Sequence, residues 1–493
     1  MKKFKFFLII LLPLFFAACE DFLDKPPQGN LTQETFPQTA DDALLATNAV
    51  YTTLRGWFYH SGGYPIPDIM SDDAHKGSNP GDQRSTIGPY DNFTHTPTQD
   101  GLDRWWATLY EGIKRANIVI ELVPEISMNT SLKTRYTAEA HFLRGLYYFD
   151  LVRAWGAVPV VTTLDPPVKL ERSSVETVFD LIEEDLLYAY DNLPLKSGYA
   201  SSDAGRATRG AAAALLARMY LFRGDFSNAE IYALDVIESG EYDLEPEFED
   251  ANGIEGENGI ESVFEVGALE VEGTESGGNQ YANTQGVRGS PNRGWGFNRP
   301  SLDLRSIFED GDPRLKGTII DLGDTIDGVV ILGDGPTPDE VRNESDEIIE
   351  VECYNRKVWV PGTSTLTQWG HNRRLIRYAD VLLMAAEALN ENDNPEEALI
   401  YLNEVRARAR EGNETILPDI TTINKEDLRD IILNERRKEL ALEGHRFWDL
   451  VRTGNADEFL GPLGFISGQH ELLPIPQNEI DISLGSLTQN DNW

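Results

Sequence analysis

The chain has 493 residues, 41% hydrophobic and 10% aromatic, which is enough apolar content for one large core or two packed lobes. With 82 acidic against 43 basic residues its formal net charge is −39. That charge argues against nucleic acid, which needs a positive footprint to displace counterions, and against anionic membranes or sulfated ligands unless a local basic patch intervenes.

The N-terminus opens with Lys2, Lys3 and Lys5, then an apolar run from Phe6 to Phe16 broken only by Pro13. As a helix this run spans about 16 Å, too short for a hydrocarbon core of about 30 Å. The following Ala17-Ala18-Cys19 resembles the lipobox of bacterial lipoproteins, with Phe16 in place of the usual leucine. Residues 1–18 read as a signal peptide, Cys19 as the lipidation site, and residues 19–38 as a lipid-anchored tether. Cys353 is then the only remaining thiol, in a strand-like stretch, and reads as a packed residue.

Helical periodicity is expected from about Thr39 to Leu54, followed by a loop-rich stretch from Arg55 to Asp100 and a helix from Trp105 to Val123. A strongly periodic helix carries Tyr136, Ala140, Leu143, Tyr147 and Leu151 and stops at Trp155-Gly156. Two later segments, Ala213 to Ile237 and Leu382 to Val405, share tetratricopeptide offsets. Ala217 and Ala229 in the first match Ala386 and Ala398 in the second, with Gly224 and Asp393 at the turns. Between them an insertion from 242 to 368 reads as mostly non-helical, with a strand at Ser262–Val266 and a hairpin around Thr318–Ile331. The last periodic helix is expected over Leu428–Leu442, before an extended tail. The division is therefore 39–241, the N-terminal part of a helical scaffold; 242–368, a loop-rich ligand-binding insertion; and 369–493, the C-terminal scaffold and tail.

Several blocks stand in one order: Cys19-Glu20-Asp21-Phe22-Leu23-Asp24, Arg104-Trp105-Trp106, Arg115-Ala116-Asn117, and Arg144-Gly145-Leu146-Tyr147-Tyr148. Arg374-Leu375-Ile376-Arg377-Tyr378-Ala379-Asp380, Glu435-Arg436-Arg437-Lys438-Glu439-Leu440, Glu443 to Leu450 and Thr488-Gln489-Asn490 complete the series. Together they resemble the SusD/RagB family of Bacteroidetes outer-membrane nutrient-binding lipoproteins. The resemblance implies a mostly α fold: a tetratricopeptide-like scaffold of helical pairs with a large irregular insertion containing short strands. It also implies a lipid anchor in the outer membrane at the cell surface, and a SusC-type TonB-dependent transporter as partner.

An enzyme is not expected. The chain has no HExxH, GxSxG, phosphate-binding glycine loop or CxxC pair, although 82 acidic residues leave ample material for a carboxylate pair. The charged and aromatic C-terminal block Glu435–Leu450 reads as structural: Arg436, Arg437 and Arg446 pair with Glu439, Glu443 and Asp449, while Phe447 and Trp448 fill the core. Sugar recognition asks instead for exposed aromatic faces with short polar groups beside them, carried on loops.

Two stretches qualify. The first runs from Trp57-Phe58-Tyr59-His60 through Tyr64 to Gln83, where Asp72, Asp73, Asn79 and Asp82 suit vicinal hydroxyls. The same oxygens also suit a carboxylate-capped turn or a structural calcium ion; no other cofactor is expected. The second carries Trp295 between two glycines, with Phe297 and Asn298, just before Pro300-Ser301-Leu302-Asp303-Leu304, which is similar to a family helix start. Trp369 is a third aromatic candidate. The expected function is capture of poly- or oligosaccharide for the transporter. The alternative is the peptide-binding lid of a RagAB-like importer, and a purely structural lid is a third reading that burial of Trp295 and the Asp72–Asp82 loop would favour.

Overall fold

The computed structural model describes residues 36–167, 169–270, 277–362 and 369–493. The signal peptide, Cys19 and the tether up to residue 35 lie outside the described residues, as does Gln368 at the end of the insertion.

Helix α1 (Ala40–Arg55) begins where the residue types predict. Thr39 accepts from the backbone N–H of Asp42, and the Asp42 carboxylate reaches back to the N–H of Thr39, a capping box that satisfies two otherwise orphaned donors. Then come α2 (Leu102–Leu122), α3 (Thr130–Trp155) and α4 (Val175–Asn192). They are followed by the pair α5 (Arg209–Arg223) and α6 (Phe226–Glu238). The second pair is α7 (Tyr378–Glu391) and α8 (Pro395–Ala409), with α9 (Lys425–Glu439) behind it.

Each helix packs on the next, and α6 packs directly on α7. The two repeat pairs therefore stack as neighbours, and everything between them in sequence loops out of the stack. The reason is visible in the side chains. Ala217, Ala229, Ala386 and Ala398 are fully buried, small enough for close helix approach. The turn residues Gly224 and Asp393 both sit in the left-handed region, at φ 70° and 64°, which ends one helix and reverses the chain. The sequence reading passed over α4, although Val178, Ile182, Leu186 and Ala189 form a buried stripe in an otherwise acidic segment.

The insertion is built from short antiparallel pairs. Strand β2 (Ser262–Val266) lies where expected and pairs with β10 (Arg373–Arg377), which leads into α7. The hairpin forms at β5 (Thr325–Ile326) and β6 (Val329–Val330), turning through Asp327-Gly328, both at positive φ. Strand β4 (Ile319–Asp321) pairs instead with β9 (Cys353–Asn355), and Cys353 is fully buried. The pair that matters most for the surface is β1 (Ala74–Gly77) with β3 (Phe297–Pro300), in register Ala74 to Pro300 and Gly77 to Phe297. The chain is thus a mostly α, tetratricopeptide-like scaffold with a strand-bearing insertion. Among the described residues no helix is long and apolar enough to cross a membrane.

Candidate functional site

The β1–β3 pairing brings the two loop stretches singled out in the sequence side by side. After α1 the chain makes two tight turns, Trp57–Tyr59 and Ser61–Gly63. Gly62 and Gly63 take φ values of 81° and 101°, and a Cβ on Gly63 would stand 2.9 Å from the Trp57 indole. Glycine there lets the ring fold back over its own loop, where its Nε1–H donates to the Gly63 carbonyl. The indole stacks on Phe58 with ring centres 5.2 Å apart and planes 26° from parallel. The Arg104 guanidinium sits 4.9 Å over the Phe58 ring.

Trp295 arrives from the other stretch and meets Trp57 edge-on at 5.9 Å. Its loop is tied down by backbone bonds: Trp295 N donates to Asn283 O at 2.8 Å, and Gly296 N to Gly286 O at 3.0 Å. The flanking glycines are required by the close approach, because a Cβ on Gly294 would fall 2.4 Å from Asn283 O. Trp57, Phe58 and Trp295 are all partly exposed. Beneath them Tyr64 is buried, edge-on to Phe297 at 4.8 Å. Burial, and then the charges of Asp100 and Asp82, push the Tyr64 phenol up to about 12, so it keeps its proton at neutral pH.

The four polar candidates of the first stretch divide. Asn79 and Asp82 are partly exposed. Asn79 Oδ1 accepts from Gly81 N at 3.1 Å, and Asp82 accepts from Ser78 Oγ at 3.1 Å and pairs with Arg288 at 2.5 Å. The loop's carbonyl oxygens converge on the Lys76 ammonium, which donates to Gly77, Asn79 and Asp82 at 2.7, 3.2 and 2.8 Å.

Asp72 and Asp73 do not face a ligand, and that expectation is corrected. Asp72 takes a two-pronged bond from Arg446 at 2.8 Å on each side and lies 2.9 Å from Arg437; Asp73, fully buried, accepts from Arg437 at 2.6 Å. The two guanidiniums compensate the carboxylates for the water they lose on burial. Phe297 and Asn298 are corrected too. β3 is covered on both faces, with Phe297 under Tyr64 and Asn298 Nδ2 donating to Asp68 and Gln285 at 3.2 and 2.8 Å. Trp369 is 2% exposed, packed with Tyr281, Ala282 and Val358, while its backbone bridges to Asn279.

The C-terminal block is structural, but its partners are mostly distant. Arg436 pairs with Asp449 at 3.3 Å as expected and also with Asp380 at 2.7 Å. Glu439 and Glu443 instead meet Arg377, Arg408, Arg314 and Lys357 from the insertion and the second repeat. Phe447 and Trp448 are buried. Trp57 and Phe58 lie in the first of the two stretches read from the sequence but are not among the residues singled out there. The available signal was an aromatic triplet followed by Gly62-Gly63, a turn able to hold a ring at the surface.

Comparison with known proteins gives a consistent answer. A family model described as "SusD family" matches residues 260–493, and one described as "Starch-binding associating with outer membrane" matches residues 21–221. The chain is similar to SusD-like protein P2 of Formosa agariphila, 30% identical over 97% of each chain. Among solved structures it is similar to a laminarin-binding SusD-like protein at 29% identity and TM-score 0.77, covering 92% of this chain and 100% of that one. It also matches surface glycan-binding protein A from Bacteroides thetaiotaomicron, solved with laminarihexaose, at 25% identity and TM-score 0.76, over 92% of this chain and all of the other.

Proposed function

The chain belongs to the SusD family, and on that premise we propose that it captures polysaccharide or oligosaccharide at the cell surface through the cluster of Trp57, Phe58 and Trp295. The observation that carries the reading is this partly exposed aromatic cluster, assembled from two loops and stiffened by glycine turns. Pyranose faces are apolar and stack on such rings, while Asn79, Asp82 and Arg104 stand nearby to bond hydroxyls. Solved relatives described as binding laminarin or laminarihexaose support a glycan ligand, with a β-glucan first among the candidates.

A few stacked sugars supply about −4 to −8 kcal/mol after ordering costs, a dissociation constant between millimolar and micromolar. Weak single contacts suit a protein that must let go, and many sites on one polymer compensate. Cys19 anchors the chain by acylation to the outer membrane, and a SusC-type TonB-dependent transporter receives the glycan. The role is capture and hand-over, not catalysis.

Affinity electrophoresis in gels containing laminarin and a panel of neutral and acidic polysaccharides tests the site. Retardation of the native chain, lost in Trp295→Ala and Trp57→Ala while both variants stay folded, is the expected result. Equal retardation of native chain and variants would remove the aromatic site; no retardation on any glycan, with binding of peptide pools instead, would replace the ligand class.

A further inference from the structure

Beneath the loop that presents Trp57 and Phe58 lies an interior cavity of about 50 Å³. Tyr59, Ser61 and Pro67 of that loop form one wall. The rest mixes apolar residues, Asp150, Glu443 and His445 with three arginines from separate elements: Arg153 near the end of α3, Arg218 on α5, and Arg373 at the start of β10. Each has its Nε–H buried with no hydrogen-bond acceptor. Among the described residues seven arginine Nε atoms are buried without an acceptor, and three of them belong to residues that line this one small void.

The charges around the cavity do not balance. Arg153 pairs with Asp150 at 2.5 Å, and Arg218 with Asp380, itself shared with Arg436. Glu443 also lines the void, but it is held by Arg377 and Lys357 at 2.9 and 2.6 Å. Arg373 has no carboxylate within ion-pair distance among the described residues. It donates to Nδ1 of His60 at 3.0 Å and lies 4.9 Å over the Tyr281 ring. Asp68 is the carboxyl whose charge reaches Arg373, and burial first, then Asp73, hold it protonated up to about 7. Of the other titratable groups on the wall, His445 is kept neutral by burial, with a pKa of about 3, and burial pushes the Tyr59 phenol well up.

From this geometry we infer that the cavity is a binding site for one small monovalent anion of halide size, held by Arg153, Arg218 and Arg373. The volume suits a single ion or one to two waters and nothing larger. Three guanidiniums around one small void favour the charged occupant, because each bond to an anion is charge-assisted. The anion neutralises Arg373 and ties the β10 side of the cavity to the loop above it. This site is independent of the glycan reading: it would order the loop whatever ligand the aromatic cluster meets.

The test uses the native chain from residue 20 onward. Crystals soaked in sodium bromide, with data collected at the bromine absorption edge, are expected to show an anomalous peak inside the cavity. In parallel, thermal unfolding is followed in sodium gluconate while chloride replaces gluconate at constant ionic strength. A saturable rise in Tm of about 2 °C is expected, and it is lost in Arg373→Gln. A cavity without an anomalous peak, together with a Tm that ignores which anion is present, overturns the inference and makes the occupant water. If Arg373→Gln does not fold, the bromide map on the native chain decides alone.

Discussion

The aromatic cluster and the C-terminal block are both rich in the residue types that mark binding sites, yet the chain uses them in opposite ways. In the block, charged side chains are sealed from water and satisfied by opposite charges: Glu439, fully buried, meets Arg314, Arg377 and Arg408 at once. In the cluster, large rings are left partly open on turns that only glycine allows. The lesson is that charge density marks the frame here, and unburied aromatic area marks the working surface. Polar groups placed next to their opposites disappear into the interior, whereas a ring held out by a strained turn has nowhere to go.

The sharpest way to break this contrast is to remove a charge from the frame. Arg377→Met leaves three buried carboxylates, those of Glu261, Glu439 and Glu443, without their shared cation and is expected to cost at least about 3–5 kcal/mol, or to prevent folding; a urea midpoint close to the native one would show that the network is slack.

Acid probes the same frame more gently. His371 and His445 are buried and held neutral, with pKa values near 3 set chiefly by burial. The unfolded chain takes up their protons below about 6.5 and the folded chain does not, so stability is full above that value and is lost as pH falls toward 3. Glu439, opposed by burial but held to about 2 by Arg408 and Arg377, adds a second loss beginning near its unfolded value and running down to 2. Between pH 7 and pH 5 each histidine should cost on the order of 1–2 kcal/mol of unfolding free energy, partly offset by Asp68, whose carboxyl binds its proton near 7 in the folded chain; imidazole NMR midpoints near 6.5 would contradict the burial of the two histidines.

The cluster predicts the reverse pattern. Gly63→Ala strains a φ of 101° and drives a Cβ into the Trp57 ring, so it should cost about 1–3 kcal/mol and weaken glycan binding together. Trp295→Ala should lower affinity about tenfold or more with little change in Tm. Asp82→Asn, at an exposed ion pair with Arg288, should change stability by no more than about 0.5–1 kcal/mol; a larger loss would move that loop from surface to frame.

Much of this was legible in the residues. The first helix followed from periodicity beginning near Thr39, the repeat pairs from Ala217 and Ala386 with their matching turns, and β2 from Ser262–Val266. What was not legible is which acidic residues stay outside. Asp72 and Asp82 stand ten positions apart in one loop with similar neighbours; only the distant Arg437 and Arg446 draw the first inside. Phe297, Asn298 and Trp369 were misplaced for the same reason, since their covers come from residues far away in sequence. Periodicity is local, and burial of an irregular segment is not.

The stacking of α6 directly on α7 sets the order in which the chain can finish folding. Ala229, Ala233 and Val236 on α6 are fully buried, but residues 239–377 must pass before the α7 surface exists to receive their helix. Closing so long a loop is an entropic barrier that no local contact relieves, and contacts of high sequence separation slow folding. Until α7 arrives, the first repeat pair presents an apolar face to whatever is near. An export route that holds the chain extended until its last quarter is available would therefore suit this topology, and truncation before residue 378 should yield an aggregating fragment in place of a smaller scaffold.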